Sequence, residues 1–138
     1  MTLEGIYTLS EDSEEQKIRE LFFDTYAFYE IIKENKNYLP YGDVGIVTSK
    51  LNIFELYNGF LKSKNGELAE ISLEKYYPFV ADFDEDVIKN AAKLKLLLNK
   101  RDVSMTDCIG YCLAKQLGIK FLTGDDAFEG MENVEFVK

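Results

Sequence analysis

Short apolar runs alternate with longer stretches of helical periodicity along this chain. Residues 20–24 read ELFFD, too short an apolar run for a helix and suited to a buried strand. The following TYAFYEIIKEN places Tyr26, Phe28 or Tyr29, and Ile32 at helical spacing. Residues 35–43 carry Pro40 and Gly42 and predict a loop. Residues 45–48 predict a second strand, and residues 53–64 a helix closed by the Asn65-Gly66 pair. A further helix fits residues 67–77, stopped by Pro78, and residues 79–83 predict a third strand. From Asp84 or Glu85 to Leu98 the pattern is strongly amphipathic, with Val87, Ile88, Ala91, Leu94 and Leu98 on the inner side. Residues 104–117 predict the next helix, with Gly118 as its stop. A buried strand at 120–123 and a last strand at 134–137 complete the pattern.

Strands alternating with helices predict an α/β domain: a mainly parallel central sheet with helices on both faces, three layers in all. In such sheets ligands bind beyond the carboxyl ends of the strands. Residues 1–19 are polar and acidic, precede the first strand and predict a loosely ordered extension. Residues 20–138 would form the single domain, and no internal repeat or low-complexity tract interrupts them.

Composition narrows the chemistry. With 46% apolar and 14% aromatic residues, a 138-residue chain can bury a core without staples. No run approaches the roughly 18–20 apolar residues of a membrane span. The N-terminus, with Glu11, Asp12, Glu14 and Glu15, lacks the apolar stretch of a secretory signal, so the expected location is the cytoplasm. There is no histidine, which excludes Ser-His-Asp and Cys-His catalysis. Cys108 and Cys112 share a predicted helix face but have no further cysteine or histidine to complete a zinc site, and read as small buried hydrophobes. Catalysis would rest on carboxylates, lysines, tyrosines, hydroxyls or a metal held by oxygens. Carboxylates suit Mg²⁺ or Mn²⁺. The net charge of −9 works against general affinity for nucleic acid, which phosphate contacts dominate. Residues 1–20 hold six acids and two bases, however, and so carry −4 of it.

Four acids fall at informative places. Asp24 ends the first strand, with Thr25 after it as a candidate helix N-cap. Asp125 follows the strand at 120–123. Taken singly, each is better explained as a turn or cap aspartate. Glu55 lies three residues after Asn52, the spacing of a capping box with Asn52 as N-cap, and points away from the apolar arc of Ile53, Leu56, Tyr57, Phe60 and Leu61. Asp107 stands three residues after Ser104, which also fits a cap. Its helix is apolar nearly all round, and its stripe holds Gly110 and Ala114 but no lysine or arginine. A carboxylate entering such surroundings is costly unless paired or bound to a metal. Two acids at strand carboxyl ends and two in first helical turns would share one edge of a doubly wound sheet. Helix N-termini favour their charge, they repel one another, and a divalent cation resolves that repulsion while supplying what phosphodiester hydrolysis needs.

The ordered segments LFFDTYAF, NIFELYNGF and SMTDCIGYCLAKQLGIKFLTGDDAF, with the ending VEFV, resemble the PIN domain, most closely the compact VapC-like ribonucleases of toxin–antitoxin pairs. The resemblance covers residues 20–138 and matches Asp24, Glu55, Asp107 and Asp125 to the family's four acids. It matches Thr123 to a hydroxyl residue near the site, beside Thr25 and Asn52 as supporting residues. It implies a three-layer α/β/α fold, Mg²⁺ or Mn²⁺ as cofactor, cleavage of single-stranded RNA by an activated water, homodimers and a cognate antitoxin. Position 52 is Asn where the family usually has Ser or Thr, and the acidic residues 1–18 precede a strand at which the family usually begins. Candidate RNA contacts are Lys100 and Arg101, directly before the Asp107 helix, with Lys89 and Lys93; each also fits an ordinary solvated face. A haloacid-dehalogenase-type phosphatase would need a second aspartate at position 26, where Tyr26 stands. A catalytically silent PIN-like interaction module and an RNA-processing nuclease that is not a toxin are the remaining alternatives.

Overall fold

A computed structural model describes residues 19–138. The expected loose extension falls on residues 1–18, outside the described residues, apart from Arg19, whose guanidinium pairs with Glu135. The elements are β1 (Glu20–Phe23), α1 (Thr25–Ile32), β2 (Gly45–Val47), α2 (Lys50–Lys62), α3 (Gly66–Tyr76), α4 (Glu85–Leu97), α5 (Met105–Leu117), β3 (Lys120–Thr123) and β4 (Val134–Phe136). Short 3₁₀ turns at Lys36–Tyr41, Tyr77–Phe79 and Asp126–Phe128 connect them. The four strands form one sheet in the order β2-β1-β3-β4, and every pairing is parallel.

Alternation along the strands builds the three layers. Successive strand residues point to opposite faces. Leu21, Phe23 and Leu122 join Phe28, Leu56 and Phe60 in a core under α1, α2 and α3. Phe22 and Phe121 point the other way, into a second core under α4 and α5 with Val87, Ile109 and Leu113. Both faces of β1 and β3 are therefore buried, which is why these strands read as unbroken apolar runs.

Capping residues set the helix starts, and several differ from the sequence reading. Asp24, and not Thr25, caps α1, accepting from the Thr25 N–H. Ser49, and not Asn52, caps α2, so the helix begins one turn earlier than expected and Glu55 lies beyond the capping turn. Ser49 wins because its extended backbone lets the short hydroxyl accept the Asn52 N–H. Ser104 and Asp107 form the expected reciprocal capping box at α5. Gly118, at φ 71°, ends that helix in a left-handed conformation that favours glycine.

The strand expected at 79–83 reduces to a single bridge between Thr48 and Val80, with hydrogen bonds from Thr48 N–H to the Phe79 carbonyl and from Ala81 N–H to the Thr48 carbonyl. Edge strand β2 ends where Ser49 turns into its helix cap, leaving one residue to pair. Ile88, expected inward, is 51% exposed, because α4 buries only Val87 and Ala91 fully against α5. The Asp107 helix is less enclosed than its composition implied: Met105 is 58% and Leu117 47% exposed at its two ends, while its middle is buried.

The α5–sheet contact depends on Gly110. A Cβ there would stand 2.8 Å from Cε1 of Phe22 and 3.1 Å from that of Phe121, whose rings stack at 5.7 Å between centroids. Overpacking of this kind costs about 1–3 kcal/mol. Gly110→Ala is expected to lower the thermal midpoint by roughly 3–10 °C in a chain of this size, read by circular dichroism. An unchanged midpoint would show that the two phenyl rings yield freely.

Candidate active site

The strand order contains a topological switch point. The chain leaves β1 for β2 on one side and reaches β3 on the other, so the order reverses between β1 and β3. Ligands of open parallel sheets bind outside the carboxyl ends of the strands at such a switch point. Asp24 follows β1 there, and Thr123 ends β3 there. Thr123 Oγ1 donates to Asp24 Oδ2 at 2.7 Å across the switch, and the Thr25 N–H donates to Oδ1 at 2.8 Å. Asp24 is 2% exposed.

The other three acids reach the same edge from separate elements. Glu55, in the second turn of α2, accepts the Thr25 hydroxyl on Oε1 at 2.8 Å. Asp107 accepts the Ser104 N–H on Oδ2 at 2.9 Å. Asp125 accepts the Ala127 N–H on Oδ1 at 3.0 Å, while its own N–H donates to Thr123 Oγ1 at 3.1 Å. Thr123 thus ties the two strand-end aspartates together. The structure brings all four predicted acids, with Thr25, Asn52 and Thr123, to one edge.

Their charges interact. Burial, then the charge of Asp107, pushes the Asp24 carboxyl up to about 8; the Thr123 and Thr25 hydrogen bonds oppose this and Glu55 adds to it. Burial raises Asp107 as well, opposed by both Ser104 groups and reinforced by Asp125 and Glu55. No lysine or arginine among the described residues forms an ion pair with any of the four.

The donor set suits a hard divalent cation: all oxygens, excess negative charge and, among the described residues, no side-chain cation paired to them. Glu55, Asp107 and Asp125 each keep one carboxylate oxygen with no hydrogen-bond donor among the described residues. As arranged, no three acids among the described residues stand close enough to share one ion. The match is one of chemistry and location, and gathering the free oxygens on a single ion requires side-chain rotation.

The cationic candidates divide. Arg101 Nη1 donates to the Ala127 carbonyl at 2.9 Å, tying the loop before α5 to the turn after Asp125. Lys100 is exposed beside it. Lys93 lines a groove with Lys115 and Gln116 of the carboxyl-terminal turns of α5, away from Asp107. Lys89 lies still nearer Asp84, which meets Gln116 at that far end. Sequence reasoning missed two hydroxyls. Ser49 anchors Asn52, and Thr48 Oγ1 donates to the Phe23 carbonyl at 3.1 Å where β1 ends. Ser49 was findable, since Ser-x-x-Asn is itself a cap spacing; Thr48 leaves no local signal.

The raised Asp24 carboxyl makes metal-free stability pH-dependent. The folded protein keeps a proton on Asp24 up to about 8, whereas the unfolded chain releases it near 3.8, so stability falls as pH rises between those values. Asp24→Asn is expected to flatten that slope and to raise the thermal midpoint in EDTA near pH 8. A variant that keeps the wild-type slope would show that Asp24 carries no such penalty.

Comparison with known proteins agrees with this architecture. The PIN domain family model matches residues 21–134. No curated protein matches significantly. Among solved structures, a toxin–antitoxin complex from Klebsiella pneumoniae has a chain 17% identical with a TM-score of 0.65, covering 83% of this chain and 95% of that one. VapBC2 from Rickettsia felis bound to a promoter DNA fragment matches at 19% identity and TM-score 0.66, with coverage of 86% and 99%. VapBC-5 from Mycobacterium tuberculosis matches at 21% identity and TM-score 0.62, with coverage of 86% and 98%. These identities carry the fold alone; the family match spans most of the chain, from β1 to β4, and by it the chain belongs to the PIN domain family.

Proposed function

We propose that this protein is a metal-dependent endoribonuclease that cleaves single-stranded RNA, and that it is the toxin of a toxin–antitoxin pair. The observation that carries the nuclease reading is the buried Asp24, tied to Thr123 across the switch point and raised by the charges of Asp107 and Glu55, with no lysine or arginine among the described residues paired to any of them. Asp24, Glu55, Asp107 and Asp125 would hold the cation. Mg²⁺ or Mn²⁺ bound there would polarise the scissile phosphate and an attacking water. Thr123 and the Thr25 N–H fix both oxygens of Asp24, so this ligand is preorganised. The second oxygen of Glu55, which has no hydrogen-bond donor among the described residues, would accept the proton of the attacking water. Arg101 and Lys100, next to the α5 cap, would meet the RNA backbone.

The toxin role rests on the toxin–antitoxin descriptions of the structural neighbours, whose antitoxins suggest a protein partner here as well. A homodimer and a cytoplasmic location belong to the same proposal. Among the described residues no helix is long and apolar enough to cross a membrane. The alternative of a silent PIN-like interaction module draws on the net charge of −9 and on the unclosed arrangement of the acids.

One experiment separates the two readings. Purified protein is incubated with a panel of single-stranded RNAs in Mg²⁺, in Mn²⁺ and in EDTA, beside Asp107→Asn. Cleavage is expected only with metal, and the variant is expected to lose at least about a hundredfold, the scale of removing one electrostatic stabiliser from a site. Equal cleavage by the variant would exclude Asp107 from the chemistry. Mn²⁺ uptake without cleavage of any RNA would favour the silent module.

A further inference from the structure

Between the start of α2 and Glu55, three polar side chains form one hydrogen-bonded chain whose direction is fixed by donor and acceptor inventory. Ser49 Oγ accepts the Asn52 N–H at 3.3 Å, and its own proton goes to Asn52 Oδ1 at 2.6 Å. The other end of that amide, Nδ2, can only donate, and it meets Thr25 Oγ1 at 3.1 Å. The Thr25 hydroxyl, having accepted there, sends its single proton to Glu55 Oε1 at 2.8 Å. An ionised carboxylate is the one member that only accepts, so the chain ends there.

The arrangement exceeds what helix capping needs. Ser49 alone satisfies the cap, through the backbone of Asn52. The Asn52 amide adds nothing to it, yet it lies at 0% exposure with both ends engaged by hydroxyls. Burying an amide is costly unless its hydrogen bonds are made inside the protein. Leucine would fill about the same space in the helix without the polar cost.

We propose that Asn52 is a positioning residue that acts on Glu55 through Thr25: its amide turns the Thr25 hydroxyl toward Glu55, which anchors Oε1 and leaves Oε2 as the oxygen free for chemistry. Calling the beneficiary a site residue rests on the nuclease reading above; the relay itself rests on hydrogen bonds alone.

The test is a double-mutant cycle between Asn52→Ala and Glu55→Gln, two residues that share no hydrogen bond, run in the wild-type and Thr25→Val backgrounds of the full chain. It is read twice: by the urea midpoint of metal-free protein, and by calorimetric Mn²⁺ affinity. Coupling is expected in the wild-type background and lost in Thr25→Val, because valine keeps the shape and removes the link. Thr25→Val is expected to weaken Mn²⁺ binding about tenfold or more, the usual scale for groups that orient a metal ligand. It should lower kcat with KM little changed, and Thr25→Ser should recover most of the loss. Equal coupling in both backgrounds of the metal-free protein would overturn the relay, as would a Thr25→Ser variant no better than Thr25→Val. Thr25-dependent coupling in a protein that takes up no Mn²⁺ would uphold the relay and sink the metallonuclease reading instead.

Discussion

Asp24 carries a carboxyl group with both oxygens bonded to neutral donors, no ion-paired lysine or arginine among the described residues and almost no contact with water. In apolar surroundings such a group is destabilising by several kcal/mol when ionised. Much of the molecule's polar organisation answers that one cost. The Thr123 hydroxyl and the first N–H of α1 are placed on its oxygens, and Asp24 is itself the N-cap of α1. The same aspartate thus follows β1, caps the first helix and sits at the reversal of strand order. Three demands on one residue leave little freedom in how β1, β3 and α1 meet.

The remaining acids are held by a different means. Glu55, Asp107 and Asp125 come from three elements, and each gives one oxygen to a nearby N–H or hydroxyl. These bonds hold the carboxylates in orientation without neutralising them. The repulsion shows in Asp107, whose carboxyl is raised by burial and by Asp125 and Glu55 despite two favourable Ser104 bonds. A stable fold that keeps four acids at one edge, where ionising Asp24 is opposed by burial and by the charges of Asp107 and Glu55, retains an electrostatic cost that a bound divalent cation would relieve. That cost is the physical link between the architecture and a metal-dependent activity.

Polar positioning and apolar packing occupy separate parts of the molecule. The two cores are dominated by aromatic and branched residues on opposite faces of the sheet, and Gly110 lets α5 approach Phe22 and Phe121 closely. The carboxyl edge carries the hydroxyls of Thr48, Ser49, Thr25 and Thr123, each bonded to a strand end, an amide or an acid. A rigid, dry sheet beneath allows a set of short side chains to be held in a single arrangement above it.

Much of this was legible in one dimension because it depends on local rules. Apolar runs and helical periodicity locate most elements, strand alternation with helices implies the parallel three-layer fold, and Asp24, Asp107 and Asp125 stand at element ends where a doubly wound sheet gathers ligands, with Glu55 in the second turn of α2. What the local rules mistook depended on neighbours distant in sequence. Residues 79–83 have strand composition, but pairing depended on how much of β2 remained before Ser49 turned into its cap. Ile88 belongs to an amphipathic pattern, but its exposure depended on which side of α4 met α5. Asn52 looked like a cap because Asn-x-x-Glu is a capping spacing; in three dimensions a better-placed Ser49 takes that role and frees the amide to reach Thr25, 27 residues away. The residue types and their order determined the fold and which acids could meet. Only the packed structure decided which oxygen of each is held and which is free, because hydrogen-bond direction is set by partners that the chain brings together late.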